Sequence, residues 1–448
     1  MANETANSNS VQSFWRPFDT PSETLMDPPR RVASGDGVYV TDDGGRLLDA
    51  VGGLWNVNLG YSQPSITQAI TKQLEELAYT SVFKGNTTGV AEELAQTLVD
   101  DWFGADGMAR VFFTSGGSDS VETALRLARQ YWKILGQNDR YKFISLKRSY
   151  HGTHFGGSSV SGGAHLRRNY EPLMPGCFHI PAPITYRNAF DETSPERLAQ
   201  ICVRLLEEEI IFQGPETVAA FIAEPVQGAG GIIVPHESFW PMVREVCDKY
   251  GVLLIADEVV TGFGRTGFDS GVRGWGVKPD MMILAKAITS GYFPFGATMI
   301  GEKVAQAFEN TKGPVANVGH GYTNSGHPAG CAAGLATLKL TRELGVVENA
   351  GPLGERLMAG LQRMKDKHEL VGDVRGRGLM AAVELVSDRS AKTPLGAEMM
   401  KRFVKATAAN GVLVRQGGHM IILSPPLTIQ ASQIDEIVDA MDKGLSSL

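Results

Sequence analysis

Between about residue 65 and residue 325, short apolar runs alternate with amphipathic stretches, and this alternation constrains the fold more than any other feature of the chain. Repeated switching between a strand-like and a helix-like period points to an α/β domain built on a mainly parallel sheet. The strand candidates are "VFFT" (111–114), "FISL" (143–146), "VAAFIAEPV" (218–226), "GVLLIADEVV" (251–260) and "MMILAK" (281–286). Three of them carry an ionisable residue at or near the end: Glu224, Asp257 and Lys286. Ligands of open α/β sheets gather at the carboxyl ends of strands, so these side chains are expected to converge on one site.

After "GYTNSGHPAG" the chain offers a small-residue helix, "CAAGLATLKL", and then strand-like "VRGRGLMAAVEL" and "VLVRQGGHMIILSPPL" with helices between them. This part is read, with the residues before about 65, as a smaller α/β unit. The expected division is residues 1–65 and 326–448 for the small unit and 66–325 for the large one. A chain of 448 residues exceeds the size at which one core usually stops growing. No internal repeat is found, and the polar opening "MANETANSNS" is expected to be a loose terminus.

Composition narrows the partners. Apolar residues at 43% and charged residues at 20% are ordinary globular values. A formal charge of -7 with no basic cluster disfavours nucleic acid and anionic membrane, and no apolar run has bilayer-spanning length. Neither a secretory signal nor a Cys-x-x-Cys pair is present, and the four widely spaced cysteines favour a reducing compartment. The expectation is a cytoplasmic protein whose partners are small molecules and copies of itself.

The motifs suggest chemistry without deciding it. Lysine is almost never fully buried unless paired, so Lys286, straight after an apolar run, either snorkels to solvent or sits in a closed site that needs an amine. In "FTSGGSDSVETALRLARQYW", Val121, Ala124, Leu125, Ala128, Trp132 and Leu135 recur at helical spacing, and Asp119 with Glu122 resembles a capping box, placing a helix start near Ser118. Its glycine-led N-terminus suits a phosphate, or is merely a tight turn. Asp257 reads as a partner for a protonated heterocyclic nitrogen, as a magnesium ligand of a Walker B strand lacking its Walker A loop, or as a cap of the next turn. Tyr150 before "HG" can lie flat over a planar ligand or be a core aromatic. His151 and His154 stand three apart, but no third ligand is in view and no metal is expected. Thr323, Asn324 and Ser325 are cap or phosphate-binding candidates before Pro328, and Arg415 is a surface ion or a clamp for a carboxylate.

Taken in order, "FFTSGGSDSVETALRLAR", "SYHGTHFGG", "AEPVQGAGG", "LLIADEVVTGFGRTG", "ILAKAITSGYFPFGA", "HGYTNSGHPAGCAAGLA" and "VRGRGLM" resemble the class III pyridoxal-phosphate aminotransferases of fold type I. "LLDAVGGLWNVNLGY" and "VLVRQGGHMIILSPPL" resemble the ω-amino acid:pyruvate and amine:pyruvate branch. The resemblance implies a large domain with a mainly parallel seven-stranded sheet flanked by helices, and a smaller α/β domain from both termini. It implies that Lys286 bonds pyridoxal 5'-phosphate and shuttles the proton, that Asp257 pairs with the pyridinium nitrogen, and that Tyr150 stacks on the ring with Val259 on the opposite face. Catalysis is thereby assigned to Lys286, Asp257 and Tyr150. The implied cofactor-binding set also holds Gly117 and Ser118 at the phosphate, His151, Glu224, and Gln227 toward the phenolic oxygen, with Thr323 supplied by a second subunit of a homodimer or dimer of dimers. The family commonly reads Ser-Gly-Ser-Glu-Ala where this chain has Gly116 to Ser120, so the phosphate cup is expected to keep its backbone amides with one hydroxyl fewer.

For the substrate, the resemblance implies Trp55 as a pocket wall, Tyr79 or Phe83 from the neighbouring subunit, and Arg415 as a mobile clamp for the keto-acid carboxylate. The expected activity is ping-pong transfer of an amino group from an ω-amino acid or primary amine to pyruvate or a related keto acid. A racemase or mutase on the same scaffold, and a non-catalytic phospholigand-binding protein, are the rivals.

Overall fold

A computed structural model describes residues 13–26 and 29–448. The expected loose terminus lies outside the described residues. A short helix, Pro21–Met26, is followed by three short antiparallel strands, β1 (Val32–Asp36), β2 (Tyr39–Asp42) and β3 (Gly45–Asp49). The large sheet comes next with β4 (Met108–Thr114), β5 (Lys142–Leu146), β6 (Cys177–Ile180), β7 (Val218–Ala223), β8 (Leu253–Asp257), β9 (Met281–Leu284) and β10 (Gly296–Gly301). Last come β11 (Val371–Arg377), β12 (Met380–Asp388), the short β13 (Thr393–Pro394), β14 (Val412–Leu413), β15 (Arg415–Gly417) and β16 (Met420–Leu423).

The seven strands of the large sheet lie in the order β4-β10-β9-β8-β7-β5-β6. Only β10 runs against its neighbours β4 and β9, so the sheet is mainly parallel. β7, β8 and β9 are buried along their whole length because both faces are covered, which is why they read as unbroken apolar runs. Alternate residues serve alternate layers. Ala220, Ile222, Leu253, Ile255, Met281 and Ile283 pack with Val121, Ala124, Leu125, Ala128 and Trp132 of the helix Gly117–Ile134. Phe221, Leu254 and Met282 point the other way, toward Leu198, Cys202 and Leu206 of the helix Pro195–Gln213.

The terminal segments meet in one sheet, with β14 pairing in parallel with β3. The sheet β11-β12-β16-β15 has two buried faces. Ala381, Val383, Ile421 and Leu423 join the core under the C-terminal helices, and Met380, Ala382, Met420 and Ile422 join the core of the large sheet.

Three local expectations are corrected. The capping box does not form: the helix begins at Gly117 without a side-chain cap, and the Asp119 carboxylate accepts from the Ser115 N–H at 3.1 Å from inside the first turn. Leu135 lies just past the helix end and is exposed, because the apolar face it seemed to continue stops at Trp132. At the second loop, the helix Pro328–Glu343 starts with Pro328 in its first turn, as expected. Thr323, Asn324 and Ser325 stand too early to cap it, and Ser325 instead accepts from the Tyr322 N–H at 3.2 Å. No helix among the described residues is long and apolar enough to cross a membrane.

Candidate active site

A cavity of about 360 Å³ opens where β4, β5, β7, β8 and β9 end. Each strand delivers its side chain at the same edge, because parallel strands all finish there. Lys286 stands just past β9 in a left-handed conformation, φ 48°, which non-glycine residues rarely adopt. Ala285 before it is extended and Lys286 opens a short 3₁₀ turn to Thr289, so the backbone is forced through a sharp corner that aims the amine into the cavity. Such strain is of order 1 kcal/mol and persists where the surroundings over-determine it. The first of the two sequence readings, an amine snorkelling to bulk solvent, is thereby excluded.

Burial lowers the Lys286 ammonium to about 8. Asp257 and Glu224 pull in the opposite direction, and Arg415 adds to the lowering. The Nζ atom stands 5.4 Å from the centre of the Trp55 ring, whose other cationic neighbour is the Arg415 guanidinium at 5.2 Å. Asp257 ends β8 and is 4% exposed. Its Oδ1 accepts from the Val259 N–H at 3.1 Å and its Oδ2 lies 2.7 Å from His151 Nδ1. A carboxylate only accepts, so His151 carries its proton on Nδ1. Burial pushes the Glu224 carboxyl up to about 7, although it accepts from the Tyr150 N–H at 3.0 Å and the Gly228 N–H at 2.8 Å. Those two bonds place the Tyr150 ring and the loop against Trp55.

The phosphate-cup candidates stand at the start of the helix Gly117–Ile134, where unpaired N–H groups and the helix dipole favour an anion. Gly117 is packed tightly: a Cβ there would lie 3.2 Å from both methyls of Val259. The Ser118 hydroxyl accepts from the Thr153 N–H at 3.1 Å, tying the cup to the turn after Tyr150.

The cavity lining thus brings together Trp55, Gly117, Ser118, Tyr150, His151, Glu224, Asp257, Val259 and Lys286. Gln227 is not in that lining: its Nε2 donates to the Lys147 carbonyl at 3.1 Å and its buried Oε1 has no protein partner. Arg415 stands behind Trp55 rather than in the lining. Tyr79, Phe83 and Thr323 form a separate exposed group. The Tyr79 hydroxyl donates to the Thr323 carbonyl at 2.8 Å, and Phe83 packs on Gly321. His151 and His154 turn to different carboxylates, His154 Nε2 lying 2.6 Å from Asp119 Oδ1. Sequence reasoning left Leu54, Thr289, Phe293 and Phe295 unassigned, yet all four line the cavity. Phe293 and Phe295 stand in "SGYFPFGA", close behind the lysine, where an aromatic reads the same whether it faces a core or a cavity.

The family profile described as Aminotransferase class-III matches residues 23–445. The chain belongs to the class III aminotransferases. A putrescine–pyruvate aminotransferase of Pseudomonas aeruginosa is 38% identical over 421 residues, spanning 93% of this chain and 90% of that protein. An amine transaminase from an uncultivated Pseudomonas species, solved with pyridoxal phosphate bound, superposes with a TM-score of 0.95 at 47% identity, covering 97% of this chain and 98% of that one. An (S)-enantioselective ω-transaminase of Thermomicrobium roseum gives a TM-score of 0.94 at 36% identity, covering 100% and 99%. The fold is therefore that of the fold type I pyridoxal-phosphate enzymes, and this aminotransferase moves amino groups with pyridoxal 5'-phosphate as its cofactor.

The residues present fit that group. A buried amine, a buried carboxylate 2.7 Å from a protonated imidazole nitrogen, and a helix N-terminus supply one attachment for each end of the cofactor. Two buried polar atoms of the lining, Trp55 Nε1 and His151 Nε2, also have no partner among the described residues.

Proposed function

We propose that this aminotransferase takes its nitrogen from an ω-amino acid or a carboxylate-free primary amine and gives it to pyruvate or a related keto acid in a ping-pong cycle. The observation that carries this is the stack of Arg415 on Trp55 at the rim of the lysine cavity. A guanidinium at that place binds a carboxylate bidentately, and its long side chain retreats to solvent when an apolar group enters. The putrescine–pyruvate relative supports the pairing of a carboxylate-free donor with pyruvate.

When bound, pyridoxal phosphate supplies an electron sink for charge developing on the carbon beside nitrogen. Lys286 would hold the cofactor through its Nζ and, once released, would serve as the base: burial brings its ammonium down to about 8, so far more of the amine is unprotonated near neutral pH than for an exposed lysine, ready to take up a proton and return it. Asp257, its carboxylate oriented by His151, would pair with the pyridine nitrogen and keep it charged. Tyr150 and Val259 would pack on the ring and Gly117 and Ser118 would hold the phosphate through backbone N–H groups, while Glu224 fixes the Tyr150 backbone. Gln227 faces the phenolic oxygen after a change of side-chain conformation, and its unpartnered Oε1 supports that freedom. Trp55 forms the substrate wall.

The same reading completes the site across a homodimer or dimer of dimers. Tyr79, 42% exposed, and Phe83, 49% exposed, lie with Thr323 outside the chain's own cavity, as groups serving a second copy would. The division into residues 1–65 with 326–448 and 66–325 belongs to it also, supported by the pairing of β3 with β14. So does a cytoplasmic location, supported by four unpaired cysteines.

The test is alanine formation from pyruvate with putrescine, β-alanine, taurine and an arylalkylamine in turn. Parallel double-reciprocal lines are expected for the accepted donors. Turnover of a donor that proceeds without any keto acid would instead assign a racemase or mutase.

A further inference from the structure

Glu384 on β12 is completely buried, and no step of the proposed cycle uses it. Its carboxylate meets nitrogen donors on three separate parts of the chain. Arg187, from the segment after β6, donates through Nε to Oε1. Arg375 on β11 donates from Nη1 to Oε2 at 2.9 Å. His419, in the turn between β15 and β16, places Nε2 3.1 Å from Oε1. Burial pushes the Glu384 carboxyl up, but the bonds from His419, Arg187 and Arg375 outweigh it and hold the group at about 2. Hydrogen bonds between charged groups are short and directional, so this cluster fixes whatever is attached to it.

One attachment is the strand that carries Arg415. Met420 on β16 pairs with Glu384, and across β15 Gly417 pairs with Met420 and Arg415 with Ile422. Cross-strand partners share a face, so Arg415 and Glu384 lie on the same side of this sheet. The turn itself is clipped twice, by His419 Nε2 on Glu384 and by the Leu385 N–H donating to the His419 carbonyl at 2.9 Å.

A second attachment is the loop behind the Trp55 wall. Arg375 Nε donates to the Gly231 carbonyl at 2.7 Å. Gly231 has φ 112° and no room for a side chain, since a Cβ would lie 2.6 Å from Met420 Sδ and 2.9 Å from Arg375 Nη2. Three residues earlier, Gly228 abuts the indole: a Cβ there would fall 2.8 Å from Trp55 Cζ3. Both arms of the cluster therefore end at Trp55, on which Arg415 rests.

We propose that Glu384, acting through His419 and Arg375, is a positioning residue that sets where the Arg415 guanidinium stands against Trp55. It thereby tunes the preference for a keto acid bearing a carboxylate over an amine without one. The proposal rests on the reading of Arg415 as the carboxylate clamp.

His419 is the arm to cut, because it is partly exposed, whereas removing Glu384 would strip the half-buried Arg187 of its carboxylate partner and leave Arg375 with the Asp373 carboxylate alone. Apparent KM and kcat would be measured for pyruvate and for an arylalkylamine with the holoenzyme of wild type, His419→Ala, His419→Gln and Arg415→Ala. His419→Ala is expected to raise the KM for pyruvate roughly 3- to 10-fold while the KM for the amine changes less than about 2-fold. His419→Gln, which keeps a side-chain N–H within reach of Glu384, should recover most of the loss, and the visible absorption of the bound cofactor should be the same in all four proteins. If Arg415→Ala shows the selective loss and His419→Ala does not, the positioning role is overturned and the clamp stands. Equal losses for both substrates in His419→Ala, or no recovery in His419→Gln, reduce the cluster to a structural one and also overturn it. Should Arg415→Ala itself lack selectivity, clamp and positioning role fall together.

Discussion

At the scale of single residues, Lys286 combines three costs: a left-handed backbone, burial of an amine, and a lowered affinity for the proton. None is useful to stability, and together they describe a nucleophile. Lys286→Ala is expected to abolish transamination and the visible absorption of lysine-bound cofactor; full retained activity would remove the assignment. The pH dependence has a defined sign. Because burial brings the ammonium down to about 8, capture of added pyridoxal phosphate by the cofactor-free protein should quicken as pH rises toward 8 and level off above it. A lysine at its ordinary value would keep accelerating past about pH 10, and stopped-flow absorbance separates the two curves. Arg415→Ala should impair pyruvate far more than a carboxylate-free amine in steady-state assays, with a rise in KM of about 10-fold or more for losing a charge-assisted bidentate contact. Lys286, Asp257 and Glu224 were legible in the sequence because parallel strands announce themselves as apolar runs and bring the residues at their C-terminal ends to one edge. Phe293 and Phe295 were not, since an aromatic after a turn looks the same whether it faces a core or a cavity.

At the scale of elements, the junction of two turns shapes the proposed phosphate cup. Gly152 has φ 92°, and a Cβ there would lie 2.6 Å from Ser118 Oγ and 2.8 Å from Ser118 Cα. Gly152→Ala must therefore push the first turn of the helix Gly117–Ile134 away from the Tyr150 loop. Expected are a loss of about 1–3 kcal/mol in stability and weaker retention of pyridoxal phosphate, checked by thermal unfolding with and without cofactor and by titration. Unchanged retention would place the phosphate elsewhere. β5, β8 and β9 were plain in the sequence as apolar runs, and β4 extends further toward its start than "VFFT" suggested. β10, "GATMIG", was missed because glycine ends and small residues give no strand signal; its burial comes from lying between β4 and β9. The capping box misled for a related reason: Asp119 and Glu122 have the right spacing, but the chain enters the helix from β4 through glycines that leave Asp119 one turn too far in.

At the scale of the whole molecule, the cavity lies at the edge of one chain's large sheet with Trp55 from the N-terminal segment in its wall and Arg415 of the terminal strands against that ring, while Tyr79, Phe83 and Thr323 stand apart and exposed. That arrangement predicts a particle of two or four 48.3 kDa chains by sedimentation, with activity falling on dilution into monomers. A fully active monomer would show that no second copy completes the site. A mainly parallel α/β domain was legible from periodicity, its seven strands only through the family resemblance; both termini were read as one smaller unit, but the pairing of β3 with β14 was not legible, because they are separated by most of the chain and leave no local pattern. The most direct measurement is the absorption spectrum of the protein loaded with pyridoxal phosphate, to which one amine donor at a time is added without keto acid. The visible band of the lysine-bound cofactor should give way to that of the aminated cofactor, and pyruvate should restore it. A band that no donor converts would contradict transamination from amines, and no band at all would contradict the role of Lys286.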